Sequence, residues 1–269
     1  LCSSSGETGF SLIGKNACNN GDDYVCFQAG KSGDSRIGEA SCNQGGYAVC
    51  SSTGENYGKA VIGVGSCNES GDWSCRKVGS SGKGMIGDSS CNHGTQQSCT
   101  YNGQEGDGNI GDNSCNGGGL YNCAENGYAG SGKIGDNSCN NGSQYACSYN
   151  GAIGMGVIGS NSCNGGGDAA CIENGYNGTG LIGDNSCNSD IIFNVTGPCA
   201  YNGANGVGVI MNDACNAPGA CYNNIGMIAS GCCNYKNACI DNQDTIIVTS
   251  PECFAPVSNE IAHNETGLH

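Results

Sequence analysis

The sequence predicts an all-β fold, a single disulfide-rich β-solenoid of about ten 24-residue coils with few or no helices. The first observation behind this prediction is a repeat: "IGDNSCN" stands unchanged at residues 110–116, 134–140 and 182–188 and has near copies along most of the chain. Composition agrees, since 50 of the 269 residues are glycine and 23 are cysteine. A fixed period of roughly 20 to 50 residues is typical of repeats that bury their apolar face only against neighbouring repeats.

Ten copies of the repeat share an isoleucine, a cysteine five residues later and an asparagine directly after that cysteine. A second cysteine follows the first by eight residues in the first seven copies, and the later copies change that gap. The repeat isoleucines are Ile13, Ile37, Ile62, Ile86, Ile110, Ile134, Ile158, Ile182, Ile210 and Ile228.

The repeat unit is too short and too rich in glycine for the other repeat folds. No window has the apolar spacing of an amphipathic helix, and a propeller blade needs roughly 40 residues. One solenoid coil fits, with two or three strands of three to five residues joined at corners that favour Gly and Asn. Isoleucine and cysteine should point inward. The asparagines after the first cysteines should form a row of corner residues whose amides bond along the stack.

Cysteine spacing favours disulfides over metal, because zinc sites prefer C-x2-C pairs or nearby histidines and the chain has only three histidines. Pairing within each coil is the simplest scheme, although stacked cysteines of adjacent coils also satisfy the distance rule. The predicted pairs are Cys18–Cys26, Cys42–Cys50, Cys67–Cys75, Cys91–Cys99, Cys115–Cys123, Cys139–Cys147, Cys163–Cys171, Cys187–Cys199, Cys215–Cys221 and Cys233–Cys239.

Both ends of the repeat carry a cysteine without a partner in its own coil. Cys2 aligns with the second cysteine of a coil, and Cys253, five residues after Val248, aligns with the first. We therefore predict a solenoid over residues 1–239 and a C-terminal segment, residues 240–269, that completes a coil with the next subunit through a Cys2–Cys253 disulfide. Cys232 offers an alternative, a Cys232–Cys253 bridge that caps a monomer.

Charge and cysteine content point to an extracellular protein. The net charge of −15 argues against nucleic acid and an anionic membrane surface, and no apolar stretch is long enough to span a bilayer. Disulfide-rich chains occur in oxidising compartments. The sequons at Asn68, Asn141, Asn177, Asn194 and Asn264 are predicted N-glycosylation sites there.

The "IGDNSCN" repeat over roughly residues 10 to 240 is similar to cysteine-rich repeats in secreted or surface proteins of stramenopile algae, such as diatoms and brown algae. Members of this group mostly carry no assigned activity. The resemblance implies a structural role outside the cell and carries over no functional residue.

Catalytic motifs are lacking, so we expect no enzyme and no cofactor. A row of carboxylates two residues after isoleucine, formed by Asp88, Asp112, Asp136 and Asp184, is a weak candidate for calcium, and a solvated turn is the simpler interpretation. If cysteine points inward, the neighbouring Ser and Asn should point outward and form an array suited to ice. The sequence thus predicts a structural subunit of an extracellular filament or cell-surface appendage that binds copies of itself head to tail. The alternative is an extracellular protein that binds an ice, mineral or glycan surface.

Overall fold

The structure, a computed structural model, describes most of every repeat. The described residues are 8–20, 23, 25–27, 29–44, 49–50, 53–69, 75–93, 99–100, 102–117, 123, 126–141, 147, 150–165, 171–189, 197–246, 249 and 253.

Eleven short parallel strands form one sheet in chain order, and each strand pairs with the strand one repeat away. Repeat isoleucines lie opposite one another along the sheet, as in Ile110 beside Ile134, so each repeat is one coil of a parallel β-solenoid. The predicted fold class is confirmed. The strands are β1 Ser11–Ile13, β2 Asp34–Ile37, β3 Lys59–Ile62, β4 Lys83–Ile86, β5 Asp107–Ile110, β6 Ser131–Ile134, β7 Met155–Ile158, β8 Thr179–Ile182, β9 Val207–Ile210, β10 Met227–Ile228 and β11 Thr245–Ile246.

Among the described residues each coil contributes one strand, fewer than the two or three predicted. The reason lies around the first cysteine, where every second residue has a positive φ, as in Asn113 (52°), Cys115 (59°) and Gly117 (61°). A β-strand has negative φ throughout. This segment still bonds to both neighbouring coils: Asn113 N–H donates to the Asp88 carbonyl of the coil before, and Cys115 N–H to the Ser138 carbonyl of the coil after.

The core is a column of isoleucine and cysteine. Among the described residues, every repeat isoleucine from Ile37 to Ile228 and every first cysteine is at most 7% exposed, which confirms their inward orientation. Strand residues alternate between core and solvent along this column. No α-helix occurs in the described residues, which contain one turn of 3₁₀ helix at Glu55–Tyr57, and none of them forms a helix able to cross a membrane.

The coils are less uniform than a strict 24-residue repeat. Six of the ten steps between successive strand ends are 24 residues long, one is 25, and the last three are 28, 18 and 18. The boundary predicted at residue 239 lies before β11, because a second 18-residue step brings Ile246 rather than Val248 into line with Ile228.

Candidate functional site: the side-chain ladders between coils

Ten disulfides close the coils, with Cα–Cα distances of 5.8 to 6.3 Å. These are the ten intra-coil pairs that the cysteine spacing predicts. Successive bridges stack on one another: the sulfur atoms of Cys163, Cys171 and Cys187 lie within 4.8 Å of one another. All three cysteines are in disulfides, so this cluster is part of the disulfide stack and holds no free thiolate for a metal.

The predicted Cys2–Cys253 bond between subunits is contradicted, because Cys253 is bonded to Cys232 with a Cα–Cα distance of 4.2 Å. Cys232 precedes the first cysteine of its coil, a position that serine holds in most coils. Its side chain is fully buried and reaches the following coil, so the bridge fastens the last coil to the one before it. Cys2 lies outside the described residues.

The serine before each first cysteine is buried, which contradicts the predicted outward array. Ser114 is representative: its one hydroxyl proton is shared between the Gly135 carbonyl (2.8 Å) and the Asp112 carbonyl (3.0 Å), and its Oγ accepts from Ser138 N–H (3.1 Å). The bonds to Gly135 and Ser138 both reach the following coil. Seven fully buried serines form this row: Ser41, Ser66, Ser90, Ser114, Ser138, Ser162 and Ser186.

The asparagine after each first cysteine also joins coils, but through the backbone. Asn116 N–H donates to Asn140 Oδ1 (2.9 Å), and Asn140 Nδ2 donates to the Asn113 carbonyl (2.9 Å). The predicted amide-to-amide bonding is therefore wrong for this row. The left-handed residue at this corner is the cysteine before it, as in Cys139 with φ 59°.

A second asparagine row, absent from our sequence prediction, does bond amide to amide inside the core. Asn102 Nδ2 donates to Asn126 Oδ1 (2.8 Å), and Asn126 Nδ2 donates to Asn150 Oδ1 (2.7 Å). In the late coils Asn202, Asn224 and Asn242 each donate Nδ2 to the asparagine Oδ1 of the coil before, whereas Asn174 Nδ2 donates to the Val157 carbonyl. Gly108 and its counterparts make room for it, since a Cβ on Gly108 would meet the carbonyl of Asn102.

The carboxylate row is exposed, and one oxygen of each carboxylate binds the backbone of the coil before. Asp112 Oδ1 accepts from Asp88 N–H (2.7 Å), and Asp136 Oδ1 accepts from Asp112 N–H (2.9 Å). Asp88 and Asp184 accept from Val64 and Ser160 in the same way. Each aspartate therefore has a structural role, and calcium binding stays a prediction.

The predicted glycosylation sites differ in exposure. Asn141 and Asn177 are exposed. Asn68 is half-buried and belongs to the asparagine row, because its Nδ2 donates to the Ala40 carbonyl (2.9 Å) and its Oδ1 accepts from Asn43 N–H. Asn194 and Asn264 lie outside the described residues.

Two aromatic rings and a carboxylate form a small cluster on the late coils. Tyr201 and Tyr222 meet edge to face at 5.2 Å between ring centres. Burial raises the pKa of Glu173, and burial together with the Glu173 carboxylate raises the pKa of Tyr201.

Neither a family model, nor a curated protein, nor a solved structure matches this chain.

Proposed function

We propose that the protein is a structural subunit of an extracellular filament or cell-surface appendage. One observation carries the proposal: the polar side chains that the repeat keeps, the serine, asparagine and aspartate rows, bind the adjacent coil. Their hydrogen-bonding capacity stabilises a rod of roughly 50 Å, given eleven strands at about 4.8 Å spacing. Buried polar groups that bond to one another specify a rigid arrangement.

The disulfides support an extracellular location, because disulfides persist in oxidising compartments. Eleven disulfides join described residues, and a coil this poor in large apolar side chains depends on such bridges. The resemblance to algal surface repeats and the exposed sequons Asn141 and Asn177 support a glycoprotein at the cell surface.

Head-to-tail assembly would continue the parallel sheet from one subunit to the next without a disulfide. Among the described residues, β1 and β11 end the sheet and are each paired on one side, and an unpaired edge is a template for another strand. The charge distribution favours the same contact. Seven of the nine Lys and Arg residues lie within residues 1–83, at the end that would meet the C-terminal end of the next subunit. A contact of this kind does not close on itself and makes fibres.

Electron tomography of native material labelled with antibodies against the chain tests this proposal. We expect label along continuous filaments or appendages whose diameter matches the solenoid. Label on isolated monomers, with affinity for ice, mineral or glycan, would overturn it and favour the alternative of a surface-binding protein. The outer face of the sheet would then be the binding surface.

A further inference from the structure

We propose that two copies of this chain pair side by side through the outer face of the sheet, with their long axes parallel and a twofold axis between them. The inference goes beyond the proposed function, because such a pair needs no filament. The outer face consists of two rows of side chains. An outer row lies three residues before each repeat isoleucine, and an inner row lies one residue before it.

The face changes character halfway along the solenoid. On the coils of β2 to β6 it is charged, as in Asp34, Arg36, Lys83 and Lys133. On the coils of β7 to β10, seven of the eight positions are aliphatic and none is charged. Val207 is 59% exposed. A contiguous exposed aliphatic patch, here across four coils, is typical of an interaction site.

A twofold axis along the solenoid fixes how two such faces meet. Each coil then faces the same coil of the partner, because the axis allows no shift along its own direction, and strand directions are reversed. The outer row of one copy therefore faces the inner row of the other. An aliphatic position on β9, Val207, meets Val209 of the other copy, and Met155 on β7 meets Val157.

The charged coils are complementary to themselves under the same symmetry. Asp34 in the outer row of β2 meets Arg36 in the inner row of the second copy, and the contact occurs twice. On β4, Lys83 meets Met85, whose side chain accommodates the lysine stem. No coil of β2 to β10 holds two side chains of the same charge sign on this face, so no coil opposes like charges.

The size of the face suits a pair of moderate affinity. About 50 Å of length and roughly 13 Å of strand width give roughly 600 Å² on each copy. Both copies together bury roughly 1,200 Å², the lower limit for a specific protein interface. An antiparallel pair would use only the four aliphatic coils and bury less than half of this area.

Sedimentation equilibrium of the full chain with intact disulfides, from about 1 to 100 µM, tests the inference. We expect a monomer–dimer equilibrium in the micromolar range. Asn177 lies beside the face, so the chain is measured after enzymatic removal of N-glycans. A single monomeric species up to 100 µM would overturn the inference.

Charge exchange on β2 tests the orientation. Arg36→Asp replaces two attractive contacts by two repulsive ones and should raise the dissociation constant about tenfold. The double variant Asp34→Arg/Arg36→Asp restores the opposite charges and should restore pairing to within about twofold. Failure of this rescue would overturn the parallel arrangement, because the two positions meet only there. Both residues are exposed, so neither change should prevent folding.

A matched pair of valine substitutions tests the aliphatic coils. Val207→Asp places a charge in the face and should weaken pairing at least tenfold. Val64→Asp is the control: Val64 is exposed off the face, at a position where other coils have aspartate. Equal effects of the two substitutions would overturn the assignment of the face.

Discussion

Replacing Ser114 by alanine removes one link of the buried serine row. Ser138 N–H is fully buried and has Ser114 Oγ as its acceptor, and the Gly135 carbonyl is half-buried and accepts from the same hydroxyl. The Asp112 carbonyl keeps a second donor, Asn137 N–H. Alanine therefore removes the hydrogen-bond partner that the buried Ser138 N–H and the half-buried Gly135 carbonyl have among the described residues.

An unpaired buried group costs roughly 1 to 3 kcal/mol, and a group that water can reach costs less. We therefore expect Ser114→Ala to destabilise the contact between its two coils by about 2 kcal/mol, a factor of about 30 in the local opening equilibrium. Since a solenoid repeat interacts chiefly with its neighbours, the loss should be confined to coils near Ser114.

Amide hydrogen exchange measures this directly in the oxidised protein. Protection should fall about 30-fold at Ser138 and at Cys115, whose N–H bonds to the Ser138 carbonyl. The amide of Cys42, several coils away, should be unchanged. Ser131→Ala is the control, because Ser131 is exposed on β6 and should change stability by less than about 0.5 kcal/mol. Unchanged protection at Ser138, or an equal loss in the control, would refute the assigned role of the serine row.

Three further predictions concern the bridges, the charges and the glycans. Removing one bridge with Cys115→Ala/Cys123→Ala should cost roughly 2 to 3 kcal/mol by the chain-entropy argument, seen as faster exchange in that coil alone; global unfolding would contradict it. Burial raises the folded-state pKa of Glu173 above the ordinary value of 4.5 for a glutamate, so wild-type stability should rise as pH falls through that raised pKa. Glu173→Gln should be more stable than wild type at neutral pH and should lose this advantage below about pH 4.5. Denaturation of both proteins across this pH range measures it, and a difference in stability that does not change with pH would contradict it. Glycopeptide mapping should find glycan on Asn177 and none on Asn68, whose Nδ2 is engaged by the Ala40 carbonyl; occupancy of Asn68 in folded protein would contradict the asparagine row.

Periodicity made much of this architecture predictable. Isoleucine and cysteine recur at one place in each repeat, so stacking them identifies the coil, the buried column and the pairing of cysteines eight residues apart. The short late coils were harder, because successive 18-residue steps bring Ile246 into line with Ile228, whereas cysteine spacing favoured Val248. Alignment by cysteine spacing therefore misses the register in which Ile246 stacks on Ile228.

The prediction that serine points outward was wrong because of the backbone conformation. In an extended strand, neighbouring side chains point to opposite sides, so an inward cysteine implied an outward serine. Cys115 instead has a positive φ, which breaks that alternation and lets Ser114 and Cys115 both be buried. Sequence gave little warning, because a non-glycine residue with positive φ is uncommon and cysteine is not one of the types that favour it.

Cys232 could have been placed from sequence. It occupies the position of the buried serine row, and a side chain there reaches the following coil, where Cys253 lies. The buried asparagine row had a signal too: an Asn-Gly pair follows the second cysteine in five coils, and the glycine two residues before the isoleucine makes room for the amide. That pair is also typical of a surface turn, and burial decides between the two interpretations.

Non-reducing peptide mapping of the native protein tests the central claim, that each repeat is one coil closed by its own disulfide. Digestion between the repeats should release peptides linked as Cys91–Cys99 and Cys139–Cys147, and a Cys232–Cys253 linkage should join the last two coils. Linkages between the second cysteine of one repeat and the first of the next, such as Cys99–Cys115, would contradict the account. A Cys2–Cys253 linkage between subunits would contradict the assigned end of the solenoid.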